Sequence, residues 1–148
     1  MAAGYIDTSC LVAVALEQPN WTRLAETLER YDAWLASGLL ETEFRAALVR
    51  EQVEHGATSQ ALLGRFTWIA PDRRLTGEID RALACGYVRG ADLWHLACAL
   101  FVTPEPADLA FVTLDAGQAG VASRLGFPGL PASLVGAHQR RSMPKPRG

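Results

Sequence analysis

Apolar positions along the chain fall into two periods. Short apolar runs, AAGYI at 2–6, AWLAS at 33–37, FTWIAPD at 66–72 and LAFVTL at 109–114, read as buried strands, the last the clearest. Longer segments between them repeat their apolar residues at helical spacing. SCLVAVALE predicts a helix stopped by Pro19, and WTRLAETLERY a helix capped by Asn20, with Trp21, Leu24, Leu28 and Tyr31 on one face. LLETEFRAALVREQVEHG predicts an amphipathic helix closed by Gly56, and TSQALLGRF a further helix. DRRLTGEIDRALACG predicts a helix ended by Gly86, with Leu75, Ile79, Ala82 and Leu83 facing inward. ADLWHLACALFV reads as an apolar helix entered at Asp92, and DAGQAGVASRLGF as a helix ending at Gly126. Strands alternating with helices over short connections predict an α/β domain with a parallel sheet.

A chain of 148 residues fits one such domain, large enough to bury a core without disulfides. We place that domain at 1–130. No apolar run approaches the roughly 20 residues of a membrane span, and no basic region precedes the first apolar stretch, so a cytoplasmic protein is expected. Cys10, Cys85 and Cys98 lack metal-type spacing and read as reduced thiols, with no zinc site.

Charge changes the picture near the end. The formal net charge is −2, but five of the fourteen basic residues and none of the sixteen acids follow Asp115. Residues 1–115 therefore carry sixteen acids against nine bases, which excludes a broadly basic nucleic-acid coat protein. Residues 131–148, ending GAHQRRSMPKPRG, read as a flexible basic tail, a solvated terminus more than a phosphate contact.

Four acids stand apart from those on polar helix faces. Asp7 ends the first strand, Asp115 ends the clearest one, and Asp92 opens an apolar helix. Glu43 lies among Leu39, Leu40, Phe44 and Ala47. Each Asp, taken singly, reads as a helix N-cap stabilising by about 1 kcal/mol. Taken together they read differently, because capping does not require acids that converge on the strand-end edge where open parallel sheets bind ligands. Converging carboxylates repel, and a hard divalent cation resolves the conflict. Mg²⁺ held by carboxylates and substrate phosphate implies in-line phosphodiester hydrolysis. Thr8, Ser9 and Thr113 place hydroxyls near these acids, and for Thr8 and Ser9 a bond to the first helical turn is an equal reading.

Four segments, YIDTSCLV, SGLLETEFRAAL, RGADLWHLACA and AFVTLDAGQAGVASRLGF, come in an order that resembles PIN-domain ribonucleases, most closely the small VapC-type toxins of type II toxin–antitoxin pairs. They span about residues 4 to 127. The resemblance implies a PIN-like three-layer α/β/α sandwich with a central, mostly parallel sheet. It also implies a Mg²⁺-dependent (alternatively Mn²⁺-dependent) endoribonuclease, a homodimer held inactive by a cognate antitoxin. Asp7 matches the family's first catalytic Asp, Glu43 its Glu six positions after Ser37, Asp92 the third acid before His95-Leu96-Ala97, and Asp115 the fourth. These four would be both catalytic and metal-binding. Glu41 points off the face of Glu43 and is left out. His95 reads as a packed structural histidine, Arg89 as a solvated arginine, and Trp21, Trp34, Trp68 and Trp94 as core or interface residues. Trp94 is bulkier than the residue usual at its place in the motif.

Other classes fit less well. A receiver-type phosphoacceptor needs a lysine near its acids, and the one lysine is Lys145. No G-x-G-x-x-G follows the first strand, and Ser9 stands where a dehalogenase-type phosphatase needs a second Asp. The alternative from another class is a PIN-like binding or regulatory protein with little nuclease activity.

Overall fold

The computed structural model describes residues 2–136. Four strands, β1 (Ala3–Ile6), β2 (Ala33–Ser37), β3 (Phe66–Ile69) and β4 (Leu109–Val112), form one parallel sheet in the order β3-β2-β1-β4. Ala3 lies beside Ala33 on one flank and Leu109 on the other. Helices α1 (Thr8–Ala15), α2 (Trp21–Leu28), α3 (Gly38–Arg50) and α4 (Ala57–Leu63) connect β1, β2 and β3; α5 (Thr76–Ala84) and α6 (Gly90–Val102) lead to β4, and α7 (Ala116–Leu125) follows it.

The two-residue period of each strand divides the core into two layers. Ile6, Trp34, Ala36, Ala110 and Val112 pack with Leu11, Leu24, Leu28, Leu40 and Phe44 from α1, α2 and α3. Tyr5, Leu109 and Phe111 point the other way and pack with Ala82, Leu96, Ala97 and Val121 from α5, α6 and α7. Helices on both faces of an all-parallel sheet make the three-layer α/β/α arrangement expected of the sequence.

Chain order along the sheet reverses at β1, because β2 lies on one side of it and β4 on the other. The carboxyl ends of β1 and β4 are adjacent there, and the Asp7 amide donates to the Val112 carbonyl at 2.8 Å. This is the switch point at which open α/β sheets form a crevice.

Several local expectations are corrected. Asn20 precedes α2 in a left-handed conformation (φ 69°) and makes no side-chain capping bond. Gly56 does not close α3; that helix ends at Arg50, Gln52 takes the left-handed turn (φ 56°), and Gly56 stands at the N-cap of α4. Leu83 is 43% exposed, so the inward face of α5 is carried by Ala82 with Ile79, and by Leu75 just before the helix. Asp92 does not open α6, which begins two residues earlier with Arg89 at its N-cap. Gly126 does end α7, at φ 104°, a conformation costly for a residue with a Cβ.

Cys10 and Cys98 are buried, and all three cysteines are free thiols. Trp34 is buried and donates its indole N–H to the Leu28 carbonyl, whereas Trp68 on edge strand β3 is 40% exposed. Most of the expected basic tail lies outside the described residues. Of its first six residues, Leu134 is buried in the α1–α3 layer, and the Gly136 amide donates to the Leu114 carbonyl. Among the described residues no helix is long and apolar enough to cross a membrane.

Candidate functional site

Asp7 leaves β1 in extended conformation (φ −75°, ψ 150°) and caps α1, its Oδ2 accepting the Ser9 amide at 3.0 Å. The residue is almost fully buried. The two hydroxyls after it face different partners. Thr8 donates to Glu43 Oε1 at 2.9 Å. Ser9 Oγ accepts the Leu114 amide at 3.1 Å and lies 3.4 Å from Thr113 Oγ1. Both hydroxyls thus leave the first turn of α1 and tie it to α3 and to the end of β4.

Asp115 caps α7, with Oδ1 accepting the Gln118 amide at 2.7 Å. Gln118 is fully buried and binds three parts of the site at once. Its Nε2 donates to Asp7 Oδ1 at 3.3 Å and to the Asp92 carbonyl at 3.2 Å, and its Oε1 accepts the Thr113 hydroxyl at 2.7 Å. Thr113 Oγ1 also lies 3.3 Å from Asp7 Oδ2 and accepts the Asp115 amide at 3.1 Å. Sequence reasoning missed Gln118. The available signal was its place three residues after a capping Asp, where a capping box favours Gln or Glu.

Glu43 reaches the edge from α3, half-buried, with His95 Nε2 2.7 Å from its Oε1. His95 is fully buried in α6, with Nε2 4.0 Å from Asp7 Oδ1 and Nδ1 3.0 Å from the Tyr5 hydroxyl. The reading of His95 as a merely packed residue therefore understates it: the imidazole joins two of the candidate acids. Burial alone would push the Glu43 carboxyl up, but hydrogen bonds from His95 and Thr8 and the nearby imidazole outweigh it and hold the group below its ordinary value. Glu41 points elsewhere, toward Arg45 at 3.9 Å on the exposed face.

Asp92 lies in the first turn of α6 with its carboxyl pushed up to about 6. Burial is the first cause; the charges of Asp7 and Asp115 come next, Arg89 opposes them, and Glu43 adds to them. The charges of Asp7, Asp115 and Glu43, from the ends of β1 and β4 and from α3, thus all reach Asp92 in α6.

As they stand, no three His, Cys, Asp or Glu side chains among the described residues are grouped so as to hold a metal ion. Asp7, Glu43 and Asp115 each give an oxygen to donors of the protein. The donor chemistry nonetheless fits a hard divalent cation, because it offers several carboxylate oxygens whose mutual repulsion is already expressed at Asp92.

The family model for the PIN domain matches residues 4–123, a span that holds all four acids, Gln118 and His95. No curated protein matches the chain.

Proposed function

The chain belongs to the PIN-domain family, and from that membership we propose that it is a Mg²⁺-dependent endoribonuclease whose site is Asp7, Glu43, Asp92 and Asp115. PIN domains are typically metal-dependent nucleases that act on RNA and use ions such as Mg²⁺. The observation that carries the reading here is that Gln118 ties Asp7, the Asp115 cap and the Asp92 backbone together at the β1–β4 switch point, beside an Asp92 carboxyl raised first by burial and then by the charges of the other acids. Four carboxylates from four separate elements, three of whose charges reach the fourth, are a poor stability device and a candidate cation site.

In this reading the four acids hold the cation, and Mn²⁺ can replace Mg²⁺. When bound, the ion polarises the scissile phosphate and lowers the pKa of water so that hydroxide is available near neutral pH. Asp7 is the central ligand, fixed by the Ser9 amide on one oxygen and by Gln118 on the other. Asp115 is held by the Gln118 amide, and Glu43 by Thr8 and His95. Thr113, between Asp7 and Gln118, limits how far Asp7 can turn. Arg89, exposed and close enough to lower the Asp92 carboxyl, offsets part of the repulsion that an RNA phosphate meets at an acidic edge.

The finer assignment is to the VapC-type toxins: a cytoplasmic homodimer that cleaves RNA until a cognate antitoxin covers its acidic crevice. It is supported by the order of the four motifs across one short domain. The test is cleavage of structured RNAs by the purified chain with Mg²⁺ and with EDTA, beside growth on expression in a bacterial host. Mg²⁺-dependent cutting, with toxicity relieved by a small protein encoded next to it, is the expected result. Cutting that persists in EDTA would contradict the metal assignment. Mg²⁺ binding without cleavage of any RNA would favour a PIN-like binding or regulatory protein.

A further inference from the structure

Glu43 is held from behind by a chain of buried groups whose proton order can be worked out. Its Oε1 accepts from Thr8 Oγ1 at 2.9 Å and meets His95 Nε2 at 2.7 Å. An ionised carboxylate only accepts, so Nε2 must carry the proton in that contact. On the far side of the ring, Nδ1 lies 3.0 Å from the hydroxyl of Tyr5, and that hydroxyl oxygen accepts the Ser37 amide at 3.2 Å. Tyr5 is fully buried, and a phenol keeps its single proton at neutral pH. In a neutral imidazole whose one proton sits on Nε2, Nδ1 can only accept, so the hydroxyl proton fills the Tyr5–Nδ1 contact while the Ser37 amide takes a lone pair. The order runs from the Ser37 N–H to Tyr5, from Tyr5 O–H to Nδ1, and from Nε2–H to Glu43.

We propose that Tyr5 and His95 are positioning residues which lock the imidazole as its Nε2–H tautomer and consume Glu43 Oε1, leaving Oε2 as the one Glu43 oxygen offered to a divalent cation. The consequence at the cation rests on the metal-nuclease reading; the proton order does not. Four separate elements converge in this device. Tyr5 comes from β1, His95 from α6, Glu43 from α3, and Thr8 from the first turn of α1. Their meeting explains why a histidine and a tyrosine occupy a layer otherwise built of Leu96, Ala97, Phe111 and Val121. A buried polar chain of this kind holds together where its links are satisfied, and here the Tyr5 hydroxyl, both ring nitrogens of His95 and Glu43 Oε1 each have a partner.

Nitrogen NMR of the metal-free, ¹⁵N-labelled chain at pH 7 reads the ring directly, with His95 assigned by loss of its signals in His95→Gln. The expected spectrum has a protonated Nε2 and an unprotonated Nδ1. In Tyr5→Phe the Nδ1 signal moves, because its hydrogen-bond donor is gone. Calorimetric titration with Mg²⁺ supplies the second readout. His95→Ala is expected to weaken Mg²⁺ binding about 10–100-fold, the usual effect of removing a group that orients a metal ligand. His95→Gln, which keeps a side-chain N–H able to reach Glu43, is expected to restore most of that loss. A protonated Nδ1 in the wild type overturns the proposal, as do equal Mg²⁺ affinities for His95→Ala and His95→Gln. Should His95→Ala fail to fold, Tyr5→Phe decides: an unmoved ring spectrum overturns the proposal. A wild-type chain that binds no Mg²⁺ contradicts the nuclease reading instead, and the ring spectrum still supports or overturns the proton order.

Discussion

Gln118 Nε2 lies 3.3 Å from Asp7 Oδ1, although the two residues are 111 positions apart. The contact joins the first turn of α7 to the cap of α1 across the β1–β4 switch point, and it makes an amide the partner of a buried carboxylate. The same side chain satisfies the Thr113 hydroxyl and the Asp92 carbonyl.

Gln118→Ala would strand those partners. Leaving buried polar groups unsatisfied costs about 1–3 kcal/mol. Urea unfolding should show a lower midpoint with an unchanged slope, the mark of lost stability without a change in the surface exposed. A midpoint equal to that of the wild type would mean that Gln118 holds nothing.

Asp7 has two roles that substitution separates. Asn caps a helix about as well as Asp, so Asp7→Asn should keep the fold, whereas Asp7→Ala should lose about 1 kcal/mol with the cap. Both should abolish RNA cleavage, since neither carries the charge. Thermal melts beside a cleavage assay check this. A fully active Asp7→Asn would reduce the residue to a cap.

The raised carboxyl of Asp92 makes metal-free stability depend on pH. Its folded pKa, about 6, lies above the ordinary 3.8, so between those values the folded state binds a proton that the unfolded state lacks. The destabilisation is fully present above pH 6 and is relieved as pH falls toward 4. Melting in EDTA should therefore show this contribution as a gain in stability from pH 7 to pH 5. Asp92→Asn should lack that component and melt higher than the wild type at pH 7. Glu43 has the opposite sign: its pKa lies below 4.5, so its stabilisation is lost only at lower pH. The same pH response in wild type and Asp92→Asn would contradict the convergence of charges.

Gly126→Ala tests the end of α7. At φ 104° a Cβ is strained even where space is open, and a non-glycine residue in a sparsely populated region costs about 1–3 kcal/mol. Chemical denaturation should report that loss with the site chemistry unchanged, because Gly126 lies at the opposite end of α7 from Asp115. No loss would show that the turn relaxes.

The sheet was legible because its strands are short apolar runs with helices between them, and all four appear where the apolar pattern puts them. The helix ends were less so. Nothing local distinguishes Gly56 as the start of α4 from Gly56 as the end of α3, and the left-handed turn falls instead on Gln52. Asp92 looks like a cap because apolar residues follow it, yet Gly90 and Ala91 already belong to the helix. At the site, the four acids announce themselves as charges beside apolar segments. Gln118, Tyr5 and His95 do not, since a buried amide, phenol or imidazole reveals its purpose only through partners far away in sequence.

The central claim is that Asp7, Glu43, Asp92 and Asp115 serve one divalent cation. Mn²⁺ binding, followed by electron paramagnetic resonance as the free ion's signal is lost, tests it most directly. Wild type should bind Mn²⁺ in competition with Mg²⁺, and Asp7→Asn, Glu43→Gln, Asp92→Asn and Asp115→Asn should each weaken that binding at least tenfold while remaining folded. Mn²⁺ binding that survives unchanged in Asp7→Asn and in Asp115→Asn would contradict a shared site.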